Sequence, residues 1–323
     1  MPNLILRYFI AFLILLLARS GYAQFYQGSY QEFGKNRVQY KDFLWQQYRF
    51  KEFDTYFYEG GQQLAEFTSK VASKNIQSLE EVFDYTIRDK IEFIVYNSHS
   101  DFKQSNIGID GNESGNIGGT TQIVGSKVFI YFEGDYLKFE QNLRKGIARV
   151  LINNRLYGGN WRDVIKSSTL LNLPYWYTEG LILYASGAID DDAANIIRND
   201  VMNGAYEKLN RHENRNASFA GYALRSYIAE NYGENIIPNI LYMSRISRDV
   251  ESGFLFVLGK SLDTVTKEFI AYYRGEYGTM TLNKTPISLD KLEVKTKKER
   301  VYTSYKISPD GRYAIYVSNI LGQ

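Results

Sequence analysis

Apolar residues recur along this chain at two periods. The period is near two in short stretches of the first half and near 3.6 through most of the second. Residues 45–58, WQQYRFKEFDTYFY, alternate in part and predict one or two strands, ended by Gly60 and Gly61. Leu64, Phe67 and Val71 stand at helical spacing and predict a helix over 62–73. Ser78 followed by Glu81 has the form of a capping box, so a second helix is expected from there through Ile87. IEFIVY at 91–96 and VFIYF at 128–132 read as strands, and 97–119, rich in Ser, Asn and Gly, reads as loop. Residues 24–47 form an irregular lead-in with aromatic anchors, among them Phe33, Tyr40 and Trp45.

The stretch 142–187 organises the rest. Leu143, Ile147, Val150 and Leu151 place one apolar stripe on a helix over 142–153, and Lys145 and Arg149, four apart, share another of its faces. A second helix opens at Pro174, carries Trp176, Glu179 and Gly180, and stops at Gly187. Further helices are expected over 188–203, 205–210, 218–232, 236–246 and 261–273, with Gly204 and Gly233 as breaks. Strands first and helices after them predict an α+β fold with a mixed sheet followed by a helical half.

Composition adds the compartment. Arg7 precedes an apolar run over 8–18, and Gly21, Tyr22 and Ala23 put small residues before Gln24. The run is too short for a membrane span, so residues 1–23 are expected to be a signal peptide cleaved before Gln24, leaving no transmembrane span. The chain contains no cysteine, which excludes a lipoprotein anchor and a disulfide framework. The formal net charge of +2 is accounted for by Arg7 and Arg19. The mature chain is therefore neutral overall, which argues against nucleic acid as a partner.

The order of helix, loop and a second helix reading Pro-x-Trp-x-x-Glu-Gly resembles the gluzincin-type zincin metallopeptidases, in particular the bacterial peptidase-MA-like family. Pro174, Trp176, Glu179 and Gly180 match the later motif, in which the Glu is the third zinc ligand. AGYALRSYIAENYG and LGKSLDTVTKEFIAYY also resemble that family's helical half, and the resemblance covers roughly 50–277. It implies a domain over 24–277 with an edge strand bordering a peptide groove, either VFIYF or the stretch 120–124.

The zinc helix departs from the pattern. Lys145 stands at the first His position, Gly146 at the Glu position and Arg149 at the second His position. A catalytic zinc needs three ligands with lone pairs, and Lys and Arg offer only donors and positive charge. Glycine cannot act as the general base on a metal-bound water. The chain has two histidines in all, His99 and His212. A degenerate zinc site is therefore expected, with no metal, no cofactor and no catalytic residues, and with Lys145 or Arg149 replacing the metal as the partner of Glu179.

Residues 278–300, with Pro286 and a charged run over 291–300, read as a linker. Beyond it, YKISPDGRYAIYVSN at 305–319 sets two short strands about a Ser-Pro-Asp-Gly turn. This resembles the repeat of a TolB-like, WD40-like β-propeller. Residues 301–323 are then its first strands, an incomplete propeller, and a longer parent protein is expected.

The remaining chemistry is weaker. Asp110, Asn112 and Glu113 lack the ligand spacing of a calcium loop and read as a solvated turn. Glu133 and Asp135 are candidate paired carboxylates but read as loop charges, and 190–192 as an acidic helix start. The expectation is a non-catalytic pseudopeptidase of the bacterial cell envelope, periplasmic or outer-membrane-associated. It would bind protein or peptide, with envelope proteins as candidate partners and a link to envelope transport or secretion. The alternative is a peptidase or glycan hydrolase with a non-standard site.

Overall fold

The computed structural model describes residues 37–107, 120–124, 126–157, 173–187, 189–211, 215–282, 297 and 300–320. The signal segment, most of the linker, His212 and the 110–113 turn lie outside the described residues. The chain divides into two compact units, Met1–Gly278 and Thr279–Gln323.

The first unit is α+β, with a mixed sheet followed by a helical half. Five strands pair in the order β1 (Gln46–Arg49), β2 (Phe53–Phe57), β3 (Ile91–Tyr96), β5 (Lys127–Tyr131), β4 (Thr120–Val124). The three central strands are parallel, and β1 and β4 run antiparallel at the two edges. Helix α1 (Gln62–Phe83) makes the crossover from β2 to β3. Strand β3 is central and covered on both faces, so its apolar residues run almost without interruption. Ile91, Phe93 and Val95 face the main core, and Ile94 and Tyr96 face a smaller aromatic one.

The smaller core is closed by the lead-in and by a short helix, α2 (His99–Phe102). Phe43, Tyr58, Phe102, Ile107, Phe129 and Tyr131 pack there. The Tyr58 hydroxyl donates to Asp101 Oδ2 at 2.5 Å and accepts from the Asn97 N–H at 2.7 Å. Arg37 fastens the lead-in, its Nη1 donating to the carbonyls of Ser105 and Ile107 at 3.1 Å each. His99 is exposed and stacked on Tyr131, with ring centroids 4.6 Å apart.

Three elements differ from the sequence-based expectation. The helices expected at 62–73 and from Ser78 are one helix, α1, ended by Asp84 in the left-handed region at φ 45°. Its buried stripe runs unbroken through Leu64, Val71, Ala72, Ile76, Leu79 and Phe83, so Ser78 lies inside the helix and Glu81 in its last turn, and neither opens a new one. Helix α3 spans Tyr136–Tyr157, longer than 142–153 at both ends. It is capped by Asp135, whose Oδ1 accepts from the N–H groups of Leu137 and Lys138 at 2.9 and 3.2 Å. The stretch 97–119 is not loop throughout, since it contains α2.

The helical half comprises α4 (Tyr175–Ser186), α5 (Asp191–Met202), a 3-10 segment (Ala205–Arg211), α6 (Arg215–Tyr232), α7 (Ile236–Ser247), α8 (Val250–Leu258) and α9 (Leu262–Leu282). Asp190 caps α5, accepting from the Ala193 N–H at 2.8 Å, as its acidic start predicts. Helix α8 has no counterpart in the sequence reading, and α9 runs past Tyr273 into the expected linker. Among the described residues no helix is long and apolar enough to cross a membrane.

Helix α4 meets α6 backbone to backbone. A Cβ at Gly221 would overlap the Trp176 carbonyl oxygen, and one at Gly180 would overlap the Gly221 backbone. Both positions therefore require glycine for close approach.

The second unit is a hairpin of β6 (Arg300–Ile307) and β7 (Ala314–Ile320). Its turn is the Ser-Pro-Asp-Gly segment, with Gly311 at φ +72° and the Arg312 N–H donating to Asp310 Oδ1 at 3.2 Å. Apolar side chains are exposed along both strands, Tyr305 at 79% and Ile315 at 75%. No closed barrel or propeller is formed by the described residues.

Substitution of Gly221 by Ala is expected to destabilise the first unit by about 1–3 kcal/mol, because a backbone carbonyl cannot move aside as a side chain can. Gly275→Ala on α9, where an added Cβ meets nothing within 4 Å, is expected to stabilise by up to about 1 kcal/mol. Denaturant unfolding of the two variants measures both, and the opposite signs separate the clash from helix propensity.

Candidate functional site

The residues matched to the degenerate zinc motif lie on α3 and α4. Helix α4 is ended by Gly187, which adopts φ 62°, and is preceded by Pro174, which stands at the N-cap and not in the first turn. Trp176, Tyr177, Gly180, Leu181, Ile182 and Leu183 are buried, so α4 is covered nearly all round. Glu179 is left half-buried on the side that faces α3.

Two arginines of α3 hold α4. Arg144 Nε and Nη2 donate to the carbonyls of Ser186 and Ala185 at 3.0 and 3.2 Å, and Nη1 donates to Asn75 Oδ1 on α1. These bonds satisfy carbonyls that the C-terminus of α4 would otherwise leave open. Arg149 Nη1 and Nη2 donate to Glu179 Oε1 and Oε2, both at 2.7 Å. The pairings of 144 with 186 and 149 with 179 show that α3 and α4 run antiparallel here.

Arg149 therefore engages both carboxylate oxygens in the fork geometry that a guanidinium allows and an ammonium does not. Lys145, one turn earlier on α3, is half-buried, and Gly146 is buried within the same turn. This set does not fit a zinc ion. It contains one carboxylate, already bound through both oxygens, and no second lone-pair donor among Lys145, Gly146 and Arg149. Among the described residues no three His, Cys, Asp or Glu side chains come together as a metal-ligating group.

Strand β4 is one of the two edges of the sheet among the described residues, the other being β1, and it packs against α3. VFIYF, offered above as an alternative edge, is not one, because β5 lies between β3 and β4. The β4–β5 ladder is irregular between Thr120 and Ile123. Of the candidate carboxylates, Asp135 is spent on capping α3, and Glu133 is exposed two residues away.

Sequence reasoning passed over Arg144, Gly221 and Arg225. Arg225 on α6 is buried beside Trp176 and Tyr177, directly behind the Glu179 helix. A charged residue on a helix gives no sequence sign of burial, and the small residues Ala220, Gly221 and Ala223 are the local signal that could have marked a close contact there.

No protein-family model matches this chain, and no curated protein matches it.

The Arg149–Glu179 pair is partly open to solvent, with side-chain exposures of 38% and 19%. A double-mutant cycle with Arg149→Met and Glu179→Gln is expected to give a coupling of about 0.5–1 kcal/mol, the range of a well-formed pair after solvent screening. The coupling is expected to shrink as salt is raised from low to molar concentration. A coupling that stays constant with salt would show that the contact contributes through packing and not through charge.

Proposed function

We propose that this chain is a metal-free, non-hydrolytic binding module on a peptidase-type scaffold. It is exported to the cell envelope, and its ligand is an extended segment of protein or peptide. The observation that carries this reading is the Arg149–Glu179 fork. The carboxylate matching the third zinc ligand is neutralised by an arginine from the helix matching the zinc helix. The positive charge a metal would supply is thus provided by a side chain, without the open coordination position that hydrolysis requires.

The means of binding is the edge of the sheet. An edge strand presents unpaired N–H and C=O groups, and an extended peptide adds to it through backbone hydrogen bonds without needing a metal. Strand β4 is such an edge beside α3. The hairpin of residues 300–320 supports attachment to a larger β structure of the TolB-like kind. Two strands alone are marginally stable, and these expose apolar side chains. A TolB-like neighbour accords with a role in envelope transport or secretion. Hydrolysis through Glu133 and Asp135 gains no support, since Asp135 serves the backbone of α3.

The test is an array of extended peptides probed with the purified chain, with bound and recovered peptides weighed by mass spectrometry. Binding without cleavage is expected. Gln122→Pro, placed in the irregular part of the β4–β5 ladder, is expected to weaken that binding at least tenfold while the fold is kept. Cleaved peptides would contradict the reading. Undiminished binding by the proline variant would move the ligand away from β4.

A further inference from the structure

One positive charge lies wholly inside the helical half. Arg225, one turn beyond Gly221 on α6, is 2% exposed. Its guanidinium sits 4.4 Å from the ring centroid of Tyr177 and 5.8 Å from that of Trp176. Nη2 donates to the Tyr177 carbonyl at 3.3 Å, and Nη1 is buried with no hydrogen-bond acceptor among the described residues.

Arginine keeps its proton under ordinary conditions, so it cannot escape burial by becoming neutral. Burial draws its pKa down, opposed only by the neighbouring Tyr177. Burial in turn pushes the Tyr177 hydroxyl up, which keeps it an uncharged phenol, and that hydroxyl donates to Ser244 Oγ at 3.1 Å. Among the described residues no carboxylate pairs with Arg225. Two aromatic faces, one long carbonyl bond and the nearby Tyr177 hydroxyl recover part of the cost of burying the charge, and among the described residues no anion answers its net charge and no acceptor meets the Nη1 hydrogens.

We propose that Arg225 Nη1 holds a small monovalent anion of the chloride class inside the helical half, beside Tyr177. The ion is small because a group 2% exposed admits no larger ligand. It is monovalent because one guanidinium balances one charge, and a dehydrated sulfate or phosphate would bring an uncompensated one. The site is separate from the β4 edge and does not depend on the function proposed above. Its consequence reaches that region through α4, because Arg225 bonds the carbonyl of Tyr177, two residues before Glu179.

The experiment is a crystal of the wild-type chain soaked in bromide, together with thermal unfolding in sodium chloride and in sodium gluconate at equal ionic strength. An anomalous peak within hydrogen-bond reach of Nη1 is expected, with a Tm that rises with chloride by mass action and not with gluconate. Arg225→Met, of similar reach and without charge, is expected to lose the chloride dependence. The crystal decides the matter even if that variant does not fold. No bromide at Nη1, bromide confined to the surface, or equal Tm in the two salts would overturn the proposal.

Discussion

Helices α4 and α6 cross with their backbones in contact, and that crossing sets the position of every side chain on α4. Gly180 and Gly221 leave no room for a Cβ on either side, so α4 can neither rotate nor slide without opening the contact. On its other side α4 is held by α3, through Arg144 at its C-terminal carbonyls and Arg149 at Glu179. The carboxylate thus stands on a helix fixed from two directions. It does not need its own ion pair to be held in place.

That arrangement explains how a half-exposed pair can matter while contributing little stability. A guanidinium and a carboxylate near solvent gain only modestly from one another. Their effect is chemical. With both oxygens of Glu179 occupied and the neighbouring positions filled by Lys145 and Gly146, the α3–α4 interface offers charge neutrality where a metallopeptidase offers a ligand set. The edge strand β4 packs on α3 without using the Arg149–Glu179 pair, so the binding surface proposed above is independent of that chemistry.

The parts of this fold that were legible in the sequence are those with a local cause. Pro174 and Gly187 bracket α4 because proline cannot continue a helix backwards and glycine tolerates φ 62°. IEFIVY reads as a strand because a central strand is apolar on both faces. A cation of α3 against Glu179 was expected from the order of the two motifs, with Lys145 and Arg149 both open, and only the folded geometry selects Arg149. Other features depend on what lies across the fold. Ser78 and Glu81 have the form of a helix start, yet α1 runs through them because its buried stripe continues against the sheet and α3. Helix α8 carries the run Phe-Leu-Phe-Val-Leu, which has no period to read. Gly180, Gly221 and Arg225 acquire their roles only when α4 and α6 meet.

The claim at the centre of this account is that arginine takes the place of a metal at Glu179. Equilibrium dialysis of the purified chain against excess zinc, followed by elemental analysis of the protein after removal of free metal, tests it directly. The account predicts that no zinc is retained in proportion to protein. One zinc per chain, released when Glu179 is replaced by glutamine, would contradict it.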